Sequence, residues 1–217
     1  MMYSETEGRQ ELVRVGRSLF ERGLTRGASA NISVRLESGF LITPTNSCIG
    51  FLEADKLSLL DYRGEWVSGE RPSKEFILHR AFYDQRSDAG AVIHLHSPYS
   101  TALSCLDVPD EHLFPPLTPY LLIRLGQVKR VPYFAPGDDR LAAAVAGVAG
   151  QTAGVLMANH GPIVAGTDLN SAMYAIEELE ESARITLLLN NQPVNLIPES
   201  EVEALRIRYG HQPAHGE

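Results

Sequence analysis

Hydrophobic positions in the first half of the chain switch between helical and strand spacing. Leu12, Val15 and Leu19 recur three or four residues apart, which predicts an amphipathic helix that ends near Gly23. Short apolar runs joined by polar turns then predict two hairpins. The elements predicted for this half are a helix over 6–24, strands over 32–36, 40–43, 57–61 and 65–67, a helix over 74–85 and a strand over 91–96.

The second half mixes the same two spacings. A hairpin is predicted across Asn159-His160-Gly161-Pro162, and Asp168 is predicted to cap a long helix. The elements predicted here are a helix over 98–106, a strand over 129–133, a helix over 138–149, strands over 154–158 and 163–165, a helix from 168 to about 189 and a short helix near 199–208.

Strands that are joined both by hairpins and by helices are typical of layered α/β domains. We therefore expect a three-layer α/β/α domain with a central, largely antiparallel or mixed β-sheet. No internal repeat or low-complexity linker divides the chain, so residues 1–217 are expected to form a single domain. Its core is expected to cover about 8–190, followed by a C-terminal helix and tail over 191–217.

Charge and composition narrow the function classes. The chain has 19 Lys and Arg against 27 Asp and Glu, a formal net charge of −8, which argues against non-specific nucleic-acid binding. No apolar run approaches the ~20 residues that span a bilayer, and the N-terminus lacks the features of a signal peptide. Cys48 and Cys105 are expected to be free thiols in the cytoplasm, with neither nucleic acid nor membrane as a partner.

The run AVIHLHSP, at positions 91–98, carries the most informative chemistry. Alternate side chains of a strand share a face, so His94 and His96 would point the same way. The Ser-Pro pair that follows suits the start of a helix and places both histidines at the end of the strand. Two such imidazoles can bind one metal ion, and His160 is a third candidate ligand. The alternative is a pair of ordinary hydrogen-bonded histidines at a sheet edge.

Three polar segments could hold an anionic group. One is Ser73-Lys74-Glu75 at the start of a predicted helix, where unpaired N–H groups and the helix dipole favour a phosphate or carboxylate. The others are the loops Gly27–Asn31 and Thr43–Ser47, which combine hydroxyl, amide and backbone donors. The alternative is that Ser73 caps the helix and that both loops are ordinary turns.

The order of these motifs resembles the class II aldolase/adducin family. The matching segments are Asn31-Ile-Ser33, Leu41-Ile-Thr-Pro-Thr45, Pro72-Ser-Lys-Glu75, His94-Leu-His96 and Asn159-His-Gly161. The resemblance as a whole covers nearly the entire chain, roughly residues 8–190. Further segments are similar to the branch that decarboxylates 3-oxo-tetronate 4-phosphate: Phe20-Glu-Arg-Gly-Leu24, Pro44-Thr-Asn46, Gly50-Phe-Leu52, Leu117-Thr-Pro-Tyr120 and Val131-Pro-Tyr133.

This resemblance implies a set of site residues. His94, His96 and His160 would bind one divalent ion, Zn²⁺, with positions left open for substrate. Glu75 corresponds to the acid/base carboxylate of the family, which can also ligate the metal when substrate is absent. Tyr120 falls where aldolases of the family supply a tyrosine proton donor, often across a subunit boundary. The residues that correspond to the phosphate-binding region are Asn31, Thr45, Asn46, Ser73 and Lys74.

The chain departs from the family pattern at three positions. Ala30 stands where Gly is common, Asn46 replaces the Gly of a Thr-Gly pair, and Lys74 replaces a Ser. The last two differences put plain aldolase activity in doubt and favour a more negatively charged substrate. A β-keto acid phosphate, which carries both a carboxylate and a phosphate, fits that description.

The function implied is a zinc-dependent carbon–carbon lyase. It would decarboxylate 3-oxo-tetronate 4-phosphate, a small phosphorylated sugar acid, to dihydroxyacetone phosphate and CO₂ through a metal-stabilised enediolate. The alternative is a class II aldolase that cleaves a ketose or sugar-acid phosphate to dihydroxyacetone phosphate and an aldehyde. An epimerase or dehydratase and a non-catalytic adducin-like assembly module are the remaining alternatives.

The resemblance also implies a homotetramer with active sites near the subunit interfaces. The acidic cluster Glu177–Glu181 is predicted to be the solvated or subunit-facing side of the long helix. His211 and His215, in the C-terminal tail, are predicted to take no part in the site.

Overall fold

The computed structural model describes residues 3–135 and 137–209, so His211 and His215 lie outside the described residues. Within those ranges the chain forms seven α-helices and an eight-stranded sheet. In chain order the elements are α1 (Glu5–Glu21), β1 (Asn31–Leu36), β2 (Gly39–Ile42), β3 (Ser58–Leu60), β4 (Trp66–Ser68), α2 (Phe76–Gln85), β5 (Ala91–His94), α3 (Pro98–Ser104), α4 (Tyr120–Leu125), β6 (Lys129–Val131), α5 (Asp139–Ala149), β7 (Gly154–Met157), β8 (Gly161–Gly166), α6 (Leu169–Leu188) and α7 (Glu199–Arg208).

The strands lie in the order β4-β3-β2-β1-β5-β8-β7-β6. Each neighbouring pair is antiparallel except β6 and β7, which are parallel and are connected through α5. The prediction of a largely antiparallel, mixed sheet is therefore confirmed. The order also puts β1, β5 and β8 at the centre of the sheet, although they are far apart along the chain.

Each face of the sheet has its own hydrophobic core. On one face Leu12 of α1 and Ile176 of α6 belong to the same buried cluster as Ile93 of β5. On the other face Phe82 of α2 and Val145 of α5 belong to a second buried cluster. The strand residues of this cluster alternate along β2, β5 and β8 with those of the first cluster. This alternation is the period-two pattern of a strand that is covered on both sides. The three-layer α/β/α arrangement is confirmed.

The first and fourth helices show the largest differences from the prediction. The first helix starts at a capping box formed by Ser4 and Glu7, and it ends earlier than predicted because Gly23 adopts a φ of 76°. The helix α4 was not predicted at all. Its six residues follow a proline-rich segment and are too few to show a helical period, and the helix is packed against α6 and α7.

The strand that carries His94 is shorter than predicted. It ends at His94, because beyond this residue the neighbouring strand β8 presents Pro162, which has no N–H to continue the ladder. The hairpin between β7 and β8 is correspondingly tighter than predicted, with only residues 158–160 between the strands. Asn159 supports this turn with a φ of 54°.

The close approach of the two chain segments depends on Gly161. This residue has a φ of 155°, and a Cβ atom added to it would lie 2.6 Å from the carbonyl oxygen of Leu95. The absence of a side chain therefore lets the turn that carries His160 lie directly against the segment that carries His96.

We expect Gly161→Ala to lower the free energy of unfolding by about 2 kcal/mol or more, because the methyl group meets backbone atoms and the φ is unfavourable. Urea denaturation measures this change. The matched control is Gly147→Ala in α5, where a Cβ meets nothing within 4 Å, and where we expect a gain of about 0.5–1 kcal/mol. A Gly161→Ala protein as stable as the wild type would contradict the close approach of the His160 turn to the segment that carries His96.

Candidate active site

The candidate site lies where the central strands begin and end. Asn31, the first residue of β1, pairs across the sheet with His94, the last residue of β5. His94 in turn pairs with Ile163 of β8. Partners across antiparallel strands point to the same face, so Asn31 and His94 both face the layer that contains α2.

The three predicted metal ligands come together at this point. One ring nitrogen from each of His94, His96 and His160 lies within 4.8 Å of the other two. The Nε2 atoms of His94 and His96 are 3.1 Å apart, close to the ~3.4 Å that separates two tetrahedral ligands of Zn²⁺ at 2.0–2.1 Å each. His94 donates through Nδ1 to the carbonyl oxygen of Pro162 at 2.8 Å, which leaves Nε2 for an ion. This donor set fits a divalent metal.

Burial keeps the three imidazoles neutral. The pKa of His94 is lowered well below its usual value by burial and then by His160 and His96. Burial and the neighbouring His160 lower the pKa of His96 to about 4. Burial also lowers the pKa of His160, against an opposing effect of Glu75. All three rings are therefore in the form that binds a metal at neutral pH.

Glu75 faces this cluster from the start of α2. Its Oε2 lies 3.6 Å from Nε2 of His94, and its Oε1 lies 3.5 Å from Nε2 of His160. Asn31 donates from Nδ2 to Oε2 of Glu75 at 2.7 Å. The structure thus brings together one carboxylate and three neutral imidazoles, which is a suitable arrangement for metal-assisted proton transfer.

The alternative in which Ser73 caps a helix over 74–85 is wrong. The helix begins at Phe76 with Glu75 in the N-cap position, and no side chain caps it. Ser73 Oγ instead accepts a hydrogen bond from the backbone N–H of Glu75 at 3.3 Å. This contact closes the turn before the helix, while the Glu75 side chain is directed to Asn31.

The predicted phosphate-binding segments lie side by side. The backbone N–H of Thr45 donates to the carbonyl oxygen of Arg71 at 2.9 Å, and the N–H of Ser73 donates to that of Thr43 at 3.2 Å. Asn46, with a φ of 58°, and Lys74 are both exposed beside this junction. Phosphate binding by Thr45, Asn46, Ser73 and Lys74 stays a prediction.

The other three positions singled out in the sequence, Asn31, Tyr120 and Ala30, lie in different surroundings from one another. Asn31 uses its side chain to contact Glu75, although its amide nitrogen carries a second hydrogen that a substrate could use. Tyr120 begins α4 and is 61% exposed, so a role as proton donor, here or in a neighbouring subunit, stays a prediction. The methyl group of Ala30 packs in the core beneath its loop.

Sequence reasoning missed three residues behind Asn31. The ring of His79 contacts Asn31 on one side and Ser33 on the other, and Ser33 also contacts Tyr83. Burial lowers the pKa of His79 to about 3. A signal was present, since Glu75, His79 and Tyr83 recur every four residues along α2 and so lie on one helical face.

Sequence reasoning was also wrong about one member of the acidic cluster. Glu180 is buried, and its carboxylate accepts hydrogen bonds from the backbone N–H groups of Tyr99 and Ser100, both at 2.8 Å. It also accepts one from the Ser100 hydroxyl at 2.6 Å. Glu180 therefore satisfies the N-terminus of α3, directly after the histidine pair, and is not part of a solvated surface.

Comparison with known proteins agrees with this geometry. The family model described as Class II Aldolase and Adducin N-terminal domain matches residues 10–187. The chain belongs to the class II aldolase and adducin family. The family resemblance seen in the sequence is therefore confirmed, and the matched range contains Asn31, Glu75 and all three histidines.

Three relatives indicate the position of the chain within this class II family. It is 43% identical to the 3-oxo-tetronate 4-phosphate decarboxylase of Escherichia coli K12, over 91% of this chain and 94% of the relative. It is 34% identical to the L-fuculose phosphate aldolase of Methanocaldococcus jannaschii, over 83% and 96%. The crystal structure of YgbL from Klebsiella pneumoniae superposes with a TM-score of 0.91 at 46% identity, over 94% of this chain and 100% of YgbL.

The buried histidines predict how the stability of the metal-free protein depends on pH. Each folded-state pKa lies below the usual value near 6.5, so the stabilisation is complete above about pH 6.5 and is lost as the pH falls towards the folded values. We expect the free energy of unfolding of chelator-treated protein to decrease from pH 7 to pH 5. His79 alone contributes up to about 1.4 kcal/mol per pH unit in this window.

Urea denaturation at pH 7, 6 and 5 measures this dependence. His79→Gln should flatten it, whereas the exposed His112→Gln should leave it unchanged. Equal slopes in the wild type and in His79→Gln would contradict a buried neutral His79.

We expect Glu180→Ala to lower the free energy of unfolding by about 2–3 kcal/mol, because two backbone N–H groups and one hydroxyl lose their acceptor. The matched control is the neighbouring Glu181→Ala. Its exposed ion pair with Arg184 is expected to contribute less than about 1 kcal/mol. Equal losses of unfolding free energy in the two variants would contradict the role of Glu180 as the cap of α3.

Proposed function

We propose that this class II aldolase family member is a carbon–carbon lyase that decarboxylates 3-oxo-tetronate 4-phosphate to dihydroxyacetone phosphate and CO₂. The observation that carries the proposal is the arrangement of the Glu75 carboxylate 3.5–3.6 Å from two of three clustered neutral histidines. The 43% identity to the E. coli decarboxylase over nearly the full length of both chains supports this substrate.

The reaction breaks the C1–C2 bond of the substrate. The electron pair of that bond moves towards the C3 ketone, which gives the enediolate of dihydroxyacetone phosphate, and C2 then takes up one proton. A divalent ion held by His94, His96 and His160 would supply Lewis-acid chemistry at the ketone when bound, and we infer that this ion is Zn²⁺. Pro162 supports the cluster because it fixes the ring of His94 through Nδ1.

We assign to Glu75 the delivery or relay of the proton that C2 takes up, and its carboxylate first gains this proton from water. Its carboxylate lies beside the cluster and is partly accessible, with 21% of the side chain exposed. Asn31 holds one carboxylate oxygen, so the other faces His160 and the space in front of the histidines. We infer that Glu75 also ligates the ion when no substrate is bound.

The phosphate and the carboxylate of the substrate need cationic or N–H donors. The N–H groups of Thr45 and Ser73 already donate to carbonyl oxygens across the junction of their loops, so the hydroxyl groups of these two residues are the donors that the junction offers to a substrate. The exposed Lys74 adds a positive charge, and Asn46 adds an amide. We assign these four residues and Asn31 to substrate binding, with Lys74 contacting either the phosphate or the carboxylate.

A class II aldolase is the second candidate function. The 34% identity to the M. jannaschii aldolase over most of both chains favours it. Cleavage to an aldehyde would give the same enediolate, so the three histidines and Glu75 could also serve this reaction. The product that accompanies dihydroxyacetone phosphate, CO₂ or an aldehyde, distinguishes the two.

We further infer a cytoplasmic homotetramer with Tyr120 near a subunit interface. The exposure of Tyr120 supports its availability to a second subunit. Cys48 and Cys105 are free thiols, which suits a reducing compartment. No helix within the described residues is long and apolar enough to span a membrane.

We expect zinc-loaded protein to release CO₂ and dihydroxyacetone phosphate in equal amounts from 3-oxo-tetronate 4-phosphate. His94→Ala should lose both zinc and turnover while it keeps the fold, because one of the three histidine ligands is removed. Metal analysis, circular dichroism and a coupled assay measure these results, and His112→Ala is the control. Zinc content and turnover equal to wild type in His94→Ala would contradict the site, and an aldehyde product would favour the aldolase.

A further inference from the structure

A chain of hydrogen bonds continues from Glu75 into the protein. It alternates between β1 and α2, because Asn31 and Ser33 share one face of the strand and His79 and Tyr83 share one face of the helix. Along this chain Nδ2 of Asn31 is 2.7 Å from Oε2 of Glu75, and Oδ1 of Asn31 is 2.5 Å from Nε2 of His79. Ser33 Oγ is then 2.7 Å from both Nδ1 of His79 and the Tyr83 hydroxyl.

The chemistry of these groups gives the chain one direction. A carboxylate only accepts, so Asn31 donates to Glu75 and turns its carbonyl oxygen towards His79. That oxygen also only accepts, so the hydrogen of His79 is on Nε2. In the neutral ring Nδ1 then accepts from the Ser33 hydroxyl, and Ser33 accepts from Tyr83. Every donor in the chain therefore points towards Glu75.

Burial supports this arrangement. Ser33 and His79 are 0% exposed, and Asn31 and Tyr83 are each 4% exposed, so water does not compete for these bonds. Burial holds the pKa of His79 near 3, which keeps the ring neutral, and burial raises the pKa of Tyr83, which keeps its hydroxyl protonated. Both protonation states match the direction of the chain.

We propose that His79 is a positioning residue that orients Glu75 through Asn31. The N–H of its ring requires the carbonyl oxygen of Asn31 to face it, and this keeps the amide N–H groups on the side of the carboxylate. Without that constraint the amide of Asn31 can rotate, and its carbonyl oxygen would then repel Glu75. The catalytic part of this inference rests on the proposed function, whereas the hydrogen-bond direction does not.

The tautomer of His79 is measurable without any assay of activity. In ¹⁵N-labelled wild-type protein at pH 7, chelator-treated and zinc-loaded, we expect a protonated Nε2 and an unprotonated Nδ1 for the His79 ring. In Ser33→Ala the ring loses its donor at Nδ1, and we expect the Nε2–H form to remain because Asn31 still requires it. A ring protonated on Nδ1, or on both nitrogens, in the wild type would overturn the proposal.

Two substitutions of His79 separate positioning from packing. We expect His79→Leu to lower kcat by about 10–100-fold, the usual cost of losing a group that orients a site residue, with zinc content near wild type. KM should rise by a smaller factor, because Asn31 is also assigned to substrate binding. His79→Gln can still donate to Asn31 from its amide, and we expect it to recover most of kcat. A kcat equally low in both variants, or a zinc loss in His79→Leu that accounts for the lost kcat, would overturn the proposal.

Thr152→Val is the matched control for a loosened fold. Thr152 is also buried, and it bonds Gln127 and Gly154 away from the histidines. We expect it to lose stability but keep kcat, and a kcat loss equal to that of His79→Leu would overturn the positioning role. If wild-type protein turns over no 3-oxo-tetronate 4-phosphate, the proposed function fails, and the tautomer measurement still decides the direction of the chain.

Discussion

The burial of three neutral imidazoles beside one carboxylate is the interaction on which this structure depends. Desolvation holds the pKa values of His94, His96 and His160 below their usual value, so the rings are neutral at neutral pH and are available as metal ligands. Such a cluster needs a place where several strands end close together and where the backbone N–H and C=O groups at those ends still have hydrogen-bond partners. The start of β1, the end of β5 and the hairpin into β8 meet at one point in the middle of the sheet and provide that place.

The elements around the cluster hold several of its polar groups in place. The carbonyl oxygen of Pro162 fixes His94, and Glu180 caps the helix that follows the histidine pair. Asn31 fixes Glu75 and is itself fixed by His79. These contacts link all three layers of the domain to the site. The orientation of His94 and of Glu75 therefore depends on contacts from other layers of the fold as well as on the segments that carry them.

The similarity to both a decarboxylase and an aldolase has a simple chemical reading. Loss of CO₂ and cleavage to an aldehyde pass through the same enediolate, so the histidines and the carboxylate can be shared. Two of the three departures from the family pattern that the sequence indicates, Asn46 and Lys74, are exposed in the two loops joined beside Glu75. Loops on a rigid scaffold are where substrate preference changes most easily, because their residues carry little of the core.

The local features of this protein follow from its sequence alone. The period of apolar residues predicted most helices and strands, and the spacing of His94 and His96, the Asn159-His-Gly161 turn and the motif at Glu75 predicted which side chains meet. Some of these features depend on residues that are close in sequence. The others depend on the resemblance to a family, which already implies the fold of that family. The lengths of the helices and strands were less predictable. For example, β5 ends at His94 because of Pro162 on a neighbouring strand.

Only the tertiary structure decided the supporting contacts. Asn31 and Glu75 are 44 positions apart, and Tyr99 and Glu180 are 81 positions apart, so their hydrogen bonds depend on strand register and helix packing. The same reason explains why Glu180 looked like a surface residue. The short helix α4 is likewise placed by its contacts with α6 and α7. Sequence spacing determines which groups can bind, whereas the packing of distant segments decides which of them are held in place.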